Sequence, residues 1–461
     1  MRVLMVNPYL LAEDPREAKW FHPYPPMGPL YVAAALEQDG HHVEFLDAVF
    51  EPSIDGIVEA VRHSDAAVVG AYTTFLNREN ALRVGRAARA RGAFAIAGGP
   101  DANVEPELYL EDAFDAVVMG EGENTARHLL SILSKGGQWQ GIAGLAWLDE
   151  EERLAQGPAR DAIVDMDTIE FPARRLADVE GYARRWRQRH GFFALSIMSS
   201  RGCPYNCAFC SRPVFGRRVR RRSVANVVDE LREIRHVHGA DRVRFADDIL
   251  PLDREWMMDL LAAIKEADLG LEFECLARAD LVDEEMLNAM AEVGFRKILY
   301  GVESGSDDVL GAMCKGQTRE QVMRATTLTR QAGIVQHWFI MFGYPGETVE
   351  DVERTVDIIL DVAPESISTT VAYPIKGTPL HEQVQDLMTS GQWSQSDDVE
   401  MMFRNRYPAR FYRWTVFRVN VALRLRRLVG RRDSALLYWF DTFGKAIGKV
   451  LAVEDEAWSS T

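Results

Sequence analysis

The stretch Ser199-Ser-Arg-Gly-Cys203-Pro-Tyr-Asn-Cys207-Ala-Phe-Cys210 decides how this chain is read. Three of its five cysteines are set here, four and then three positions apart. The run follows a strand-like apolar segment, residues 194–199, so the cysteines lie on a loop. Thiolates gathered on one loop can converge on an iron–sulfur cluster, for which soft sulfur ligands are suited. Zinc is the alternative, but a structural zinc site needs a fourth ligand. Neither Cys275 nor Cys314 has a partner at zinc-knuckle spacing, and no histidine lies nearby. Five cysteines in 461 residues cannot form a disulfide framework. Three thiolates on a four-iron, four-sulfur (4Fe-4S) cluster leave one iron open.

Outward from this loop the sequence alternates strands and helices. Strand candidates at 194–199, 242–246, 272–276, 297–302, 338–342 and 367–372 are separated by helical patterns at 227–237, 256–267, 284–293, 319–331 and 349–362. Six βα units are too few for a closed eight-fold barrel and suit an open, partial (β/α)6 barrel. An earlier series precedes them, with apolar runs at 3–7, 43–48, 66–72, 93–98 and 116–119 and helical patterns at 29–38, 54–62 and 78–91. Continuous apolar strands alternating with helices mark a parallel sheet covered on both faces, here a doubly wound, flavodoxin-like (Rossmann-type) α/β domain. The division expected is 1–150 for the first domain, 151–190 for a polar, irregular connector, 191–385 for the partial barrel and 386–461 for a helical C-terminal region. Ligands of parallel sheets bind at the carboxyl ends of the strands, so function is sought in the loops after them.

A formal net charge of −16 argues against nucleic acid as the main partner. The N-terminal run has no signal-peptide pattern and no apolar stretch reaches the length of a spanning helix, so a cytoplasmic protein is expected.

The CxxxCxxC loop after a first barrel strand resembles that of the radical S-adenosylmethionine (SAM) superfamily. The resemblance implies a cluster held by Cys203, Cys207 and Cys210, whose open iron binds SAM and cleaves it reductively to a 5′-deoxyadenosyl radical. Further segments resemble the family in order along residues 194–380. Gly301-Val-Glu303-Ser304 matches the segment whose acidic residue faces the SAM ribose. Gly343-Tyr-Pro345-Gly346 matches the loop against the adenine, and Phe209 would pack nearby. Arg278 sits at the strand end whose arginine can meet the SAM carboxylate, a task a bidentate guanidinium suits. Asp247 and Asp248, after the second strand, are either ligands of SAM or substrate, with Asp248 the SAM candidate, or a solvated turn before Pro251.

The first domain resembles the cobalamin-binding domain of class B radical SAM enzymes, the group containing radical SAM methylases and the anaerobic Mg-protoporphyrin monomethyl ester cyclase. The matching segments sit around strand ends: Pro25-Pro-Met27-Gly28, Gly98-Gly99-Pro100-Asp101 and Gly120-Glu121-Gly122-Glu123. Pro8, Tyr72 and Thr73 lie after other strands and join the candidate cobalamin set. The family's Asp-x-His-x-x-Gly pattern, which supplies an axial histidine, is missing. Asp39-Gly40-His41 begins it, but Glu44 stands in the glycine place and the triplet falls at a helix-to-strand turn, making it a decoy.

What the resemblance implies is a methyltransferase that methylates an unactivated carbon of a small molecule through methylcobalamin and a deoxyadenosyl radical. An external one-electron donor such as flavodoxin or ferredoxin would drive it. Oxidative ring closure or rearrangement with the same cofactors is the alternative. A non-catalytic cobalamin sensor or carrier is the reading from another class, and the cysteine motif opposes it. Methylthiotransferases carry extra N-terminal cysteines, and this chain has none before Cys203. The arginines from Arg212 to Arg222 are read as a solvated charge run. The aromatic, arginine-rich stretch 404–432 is read as a helical cap, and the segment around Lys315 as a surface helix or loop.

Overall fold

The computed structural model describes residues 1–212, 214–389, 402–430 and 434–452. The chain divides into two compact units, residues 1–203 with 212–244, and residues 204–211 with 245–461.

The first unit is built on β1 (Arg2–Asn7), β2 (His42–Asp47), β3 (Val68–Tyr72), β4 (Phe94–Gly98), β5 (Ala116–Val118), β6 (Leu145–Leu148) and β7 (Leu154–Gln156). They form one sheet in the order β2-β1-β3-β4-β5-β6-β7. The first five pair in parallel, in the flavodoxin-like order 2-1-3-4-5. Strand β1 shows why the sheet is covered on both faces. Leu4 and Val6 join one buried cluster with Val69, Ala71 and Val84. Val3 and Met5, which alternate with them, join another with Ile96, Val118 and Leu129. Side chains of a strand point alternately to opposite faces, so a run apolar at every position needs cover on both. Each such valine or leucine contributes about 1.5–3 kcal/mol on full burial.

The connector departs from its irregular reading. The β6–β7 pair is an antiparallel hairpin added at the sheet edge. The arginine-rich stretch 184–189 lies within a helix, Val179–His190, capped by the Asp178 side chain and stopped at Gly191. Its apolar side is sparse, but Tyr182 and Trp186 are 1% exposed, and two aromatic anchors replace the longer stripe on which helix patterns depend.

After β8 (Ala194–Ile197) comes a short antiparallel pair, β9 (Ser200–Arg201) and β10 (Arg220–Arg221). The remaining strands are β11 (Arg242–Phe245), β12 (Glu272–Ala277), β13 (Phe295–Glu303), β14 (Val335–Phe342) and β15 (Ser366–Val371). The sheet order is β15-β14-β13-β12-β11-β8, and β12 to β15 pair in parallel. This is the open six-stranded α/β arrangement expected of a partial barrel. Helices stand between the strands, with start signals legible in the sequence. Thr318 and Thr348, each with a side-chain partner three residues on, form capping boxes at Arg319–Gln331 and Val349–Val362.

The C-terminal region is helical in its described parts, Ala409–Val429 and Ala435–Leu451. Arg418, 2% exposed, pairs with Glu353 through two hydrogen bonds of 2.5 and 2.7 Å and with Asp441 at 2.6 Å. That buried pairing ties both helices to Val349–Val362, as a cap on the barrel would be. Among the described residues no helix is long and apolar enough to cross a membrane.

Candidate functional site

In the first unit, a cavity of about 290 Å³ opens at the carboxyl ends of β1, β3, β4 and β5. Of the thirteen residues read from sequence as a cobalamin set, ten line it: Met27, Gly28, Tyr72, Gly98, Gly99, Pro100, Gly120, Glu121, Gly122 and Glu123. Pro8, Thr73 and Asp101 do not. The Thr73 hydroxyl donates to Gly98 O at 3.2 Å and accepts from Ala102 N at 3.1 Å. Asp101 accepts two bonds of 2.7 Å from Arg78 and one of 2.5 Å from the Tyr109 hydroxyl. Both side chains hold the β3 and β4 loops from behind.

Met5, Tyr31, Val32, Ile96, Val118 and Phe215 give the wall its apolar character. These were missed because an apolar residue in a strand reads as core whether or not it borders a cavity. Two of the glycines leave no room for a side chain: a Cβ at Gly122 would lie 2.8 Å from Val32, and one at Gly99 would lie 2.4 Å from Thr73 O. A wall of bare backbone and apolar side chains suits a broad, flat macrocycle approached closely. Among the described residues no histidine lines this cavity. The Asp39-Gly40-His41 triplet lies at the opposite, amino end of β2, where His41 meets the Met1 amino group at 3.1 Å.

At one side of the cavity is a buried ionic group that includes Arg220, one of the arginines that sequence reading placed in solvent. Arg201 and Arg220 are 2% and 5% exposed. Arg201 donates to Glu123 at 2.6 Å and stands 3.5 Å from Glu121, which Arg220 also contacts. Its guanidinium lies 5.1 Å from the Tyr31 ring and 4.9 Å from the Phe215 ring. Arg222 is buried too and pairs with Glu230. The arginine run therefore folds inward wherever a carboxylate waits for it, because a buried charge is tolerated when paired.

None of the five cysteines is joined in a disulfide; Cys207 is buried, Cys203 and Cys210 are half-exposed. Cys203 belongs to the first unit, Cys207 and Cys210 to the second. The backbone orders each part: Cys203 N donates to Gly216 O at 3.2 Å and Cys210 N to Cys207 O at 3.1 Å. Among the described residues no three His, Cys, Asp or Glu side chains gather on the scale of a single metal ion. A cubane cluster does not ask for that, since each thiolate takes its own iron. Three cysteines outside any disulfide, on one loop of the sequence, are the donor set such a cluster takes.

The SAM candidates lie at strand ends of the second unit. Arg278, 3% exposed, is held by Asp280 through bonds of 2.9 and 3.1 Å and stacks 3.7 Å from the Tyr205 ring centre. Glu303 is 7% exposed and pairs with Lys315 at 2.8 Å. Phe209 packs against a cluster containing Met313, Met341 and Tyr344. Ser304 is fully buried and shares a 3.1 Å hydrogen bond with Thr355, a bond inside the fold. Asp247 is buried and Asp248 exposed, so the two carboxylates do not form one buried pair. Pro345 is buried and Gly346 exposed. Gly343 N donates to Glu347 at 2.5 Å, and its carbonyl accepts from Asn405 at 2.6 Å, which in turn accepts from the Tyr412 hydroxyl at 3.0 Å. Burial pushes the Glu347 carboxyl up to about 8, partly offset by the Gly343 N–H.

Comparison with known proteins agrees with this arrangement. Residues 197–359 match the radical SAM superfamily and residues 18–130 match the B12 binding domain. An uncharacterized methyltransferase of Pyrococcus horikoshii is 29% identical over 391 residues, 83% of this chain and 84% of that protein. The anaerobic magnesium-protoporphyrin IX monomethyl ester cyclase of Synechocystis sp. is 25% identical, covering 97% of this chain and 92% of its own. The radical SAM methyltransferase TsrM of Kitasatospora setae, solved with cobalamin and a [4Fe-4S] cluster bound, superposes with a TM-score of 0.70. It covers 84% of this chain and 74% of its own at 22% identity, a likeness of fold. With a B12 binding domain ahead of a radical SAM domain, the chain is a cobalamin-dependent radical SAM enzyme whose cofactors are a 4Fe-4S cluster, SAM and cobalamin.

Proposed function

We propose that this enzyme is a C-methyltransferase acting on an unactivated carbon of a small molecule, in the cytoplasm, with flavodoxin or ferredoxin as electron donor. The observation that carries the reading is the set of glycine-rich strand ends around an apolar cavity with no histidine in its wall, in a chain whose relatives include a protein named as a methyltransferase. When bound, the cluster, SAM and cobalamin supply one-electron cleavage of SAM and a transferable methyl group.

In this reading residues 1–150 are the cobalamin-binding domain, 151–190 the connector, 191–385 the radical SAM barrel and 386–461 the helical C-terminal region. The glycines at 28, 98, 99, 120 and 122 let the backbone approach the corrin, and Tyr72 offers it an aromatic face. Cys203, Cys207 and Cys210 hold the cluster. Glu303 orients the SAM ribose, Arg278 exchanges part of its hold on Asp280 for the SAM carboxylate, and the Gly343–Gly346 loop receives the adenine beside Phe209. Pro8, Thr73, Asp101 and Ser304 support these loops, and Asp248 meets SAM from the end of β11.

The alternative, oxidative ring closure without methyl transfer, is favoured by the length of the match to the magnesium-protoporphyrin ester cyclase. Feeding trideuteromethyl-methionine to a strain with the gene and to one without it, followed by untargeted mass spectrometry, separates the two. Methylation requires a gene-dependent metabolite three deuterons heavier. A gene-dependent metabolite with no such label would replace this reading with ring closure.

A further inference from the structure

Lys315 sits where sequence reading expected a surface loop, yet it is 7% exposed. The helix Asp307–Ala312 ends in a turn in which Lys315 N donates to Leu310 O at 3.0 Å and Cys314 takes a φ of 52°. That is the left-handed residue that closes a helix and reverses the chain, and here it sends the lysine inward. The Lys315 ammonium then makes two contacts. It donates to Glu303 at 2.8 Å, and it stands 5.8 Å from the centre of the Phe209 ring, within the range of a cation–π contact.

Both partners are specially placed. Glu303 ends β13 with a φ of 63°, and the pairing of β13 with β14 shifts register between Gly301 and Glu303. A non-glycine residue at positive φ next to a bulge is strained, and the surroundings must over-determine it. Phe209 lies between two of the cysteines, and the loop that carries it is fixed from the same turn: Ala208 N donates to Met313 O at 2.9 Å. Room for the pair is made by Gly301, where a Cβ would lie 2.7 Å from both the Glu303 carboxylate and the Lys315 ammonium.

We infer that Lys315 is a positioning residue for SAM: it fixes the Glu303 carboxylate at the end of β13 and ties it to Phe209 of the cysteine loop. This rests on the proposal that Glu303 binds the SAM ribose. A buried carboxylate without its cation would turn toward solvent, and that change removes the charge-assisted acceptor a ribose hydroxyl would use.

The test measures SAM affinity by equilibrium dialysis on the reconstituted, unreduced enzyme, with iron and sulfide counted in each variant. Lys315→Met is expected to weaken SAM binding about tenfold or more at unchanged iron content, and Lys315→Arg to restore most of it. Gly301→Ala, which keeps both charges but crowds them apart, should weaken binding in the same direction and does not depend on how Lys315→Met folds. Glu303→Gln separates the two claims. If it leaves SAM affinity at the wild-type value, the ribose assignment falls and the inference with it. If it weakens SAM while Lys315→Met and Gly301→Ala do not, the inference alone is overturned. A further loss when Lys315→Met is added to Glu303→Gln, equal to its loss in the wild type, would also overturn it, since a residue acting through Glu303 has nothing left to position.

Discussion

Replacing Gly99 by alanine isolates what the loop after β4 needs from the fold. Gly99 takes φ 127° and ψ 178°, a region that is essentially glycine's alone and costs other residues about 1–3 kcal/mol. An added Cβ would lie 2.4 Å from the carbonyl oxygen and 2.9 Å from the amide nitrogen of Thr73. Those are backbone atoms at the end of β3, fixed by the 2.8 Å bond from Thr73 N to Gly98 O, so they cannot swing aside as a side chain would. Overpacking adds about 1–3 kcal/mol more, giving a total near 4 kcal/mol. Gly98 next door is the control, since its added Cβ would meet only Val118, at 3.6 Å, an ordinary contact. Hydrogen exchange read by mass spectrometry on peptides spanning β3 and β4 in the cofactor-free protein should show Gly99→Ala exchanging at least about a hundred times faster than wild type. Gly98→Ala should stay within a few-fold. Equal protection in the two variants would refute the claim that the turn at Gly99, rather than the bare surface of the cavity, is what demands glycine.

Three other outcomes are expected. Changing Cys203, Cys207 and Cys210 together to alanine should abolish iron and sulfide incorporation while far-UV circular dichroism stays as in the wild type; full iron content would sink the ligand assignment. The electron paramagnetic resonance spectrum of the cob(II)alamin form should lack nitrogen splitting from a protein imidazole, because no histidine among the described residues lines the cavity; a splitting lost on mutation of any histidine would contradict it. Glu347→Gln should change how stability varies with pH. The folded-state value near 8 lies above the ordinary 4.5, so the native state binds the extra proton, and this contribution is full below 4.5 and lost as pH rises toward 8. Urea melts should therefore show the glutamine variant gaining on wild type from pH 5 to 8 and holding its advantage above; a constant difference would mean Glu347 is ionised throughout.

The strands and helices of both α/β series were legible because their physical signals are local. An apolar run of five residues bounded by turn residues announces a doubly covered strand, and Thr318 and Thr348 announce the helices that follow them. The helix Val179–His190 was not legible, because two buried aromatics rather than a stripe hold it. Arg220 and Arg222 were misread as solvated for a related reason: a charged residue reads as exposed until the chain supplies its counter-charge, and Glu121 and Glu230 come from distant parts of the sequence. Lys315 was hidden by a single left-handed residue, since Cys314 stands where glycine would have marked the helix end. Where spacing alone carried the message, as at the helix caps Thr318 and Thr348, sequence sufficed. Where burial of charge decided the outcome, it did not.

The two units obey one placement rule and apply it with different chemistry. In each, the loops of interest follow the carboxyl ends of parallel strands. The cavity of the first unit is lined by glycine, methionine, valine and isoleucine, and the charges beside it stand in neutralised pairs such as Arg201 with Glu123. A wide macrocycle with apolar faces is gripped over area, and an unpaired charge against it would be desolvated without return. The candidate SAM residues are instead charges already partnered inside the fold, Arg278 with Asp280 and Glu303 with Lys315. A small zwitterionic cation offers little area, so its recognition has to come from directed, charge-assisted bonds. Partnering those groups in advance fixes their rotamers before SAM arrives and lowers the ordering cost at binding. In the proposed reading, the same partners that stabilise the empty fold are thus what make the strand ends able to select a charged ligand from water.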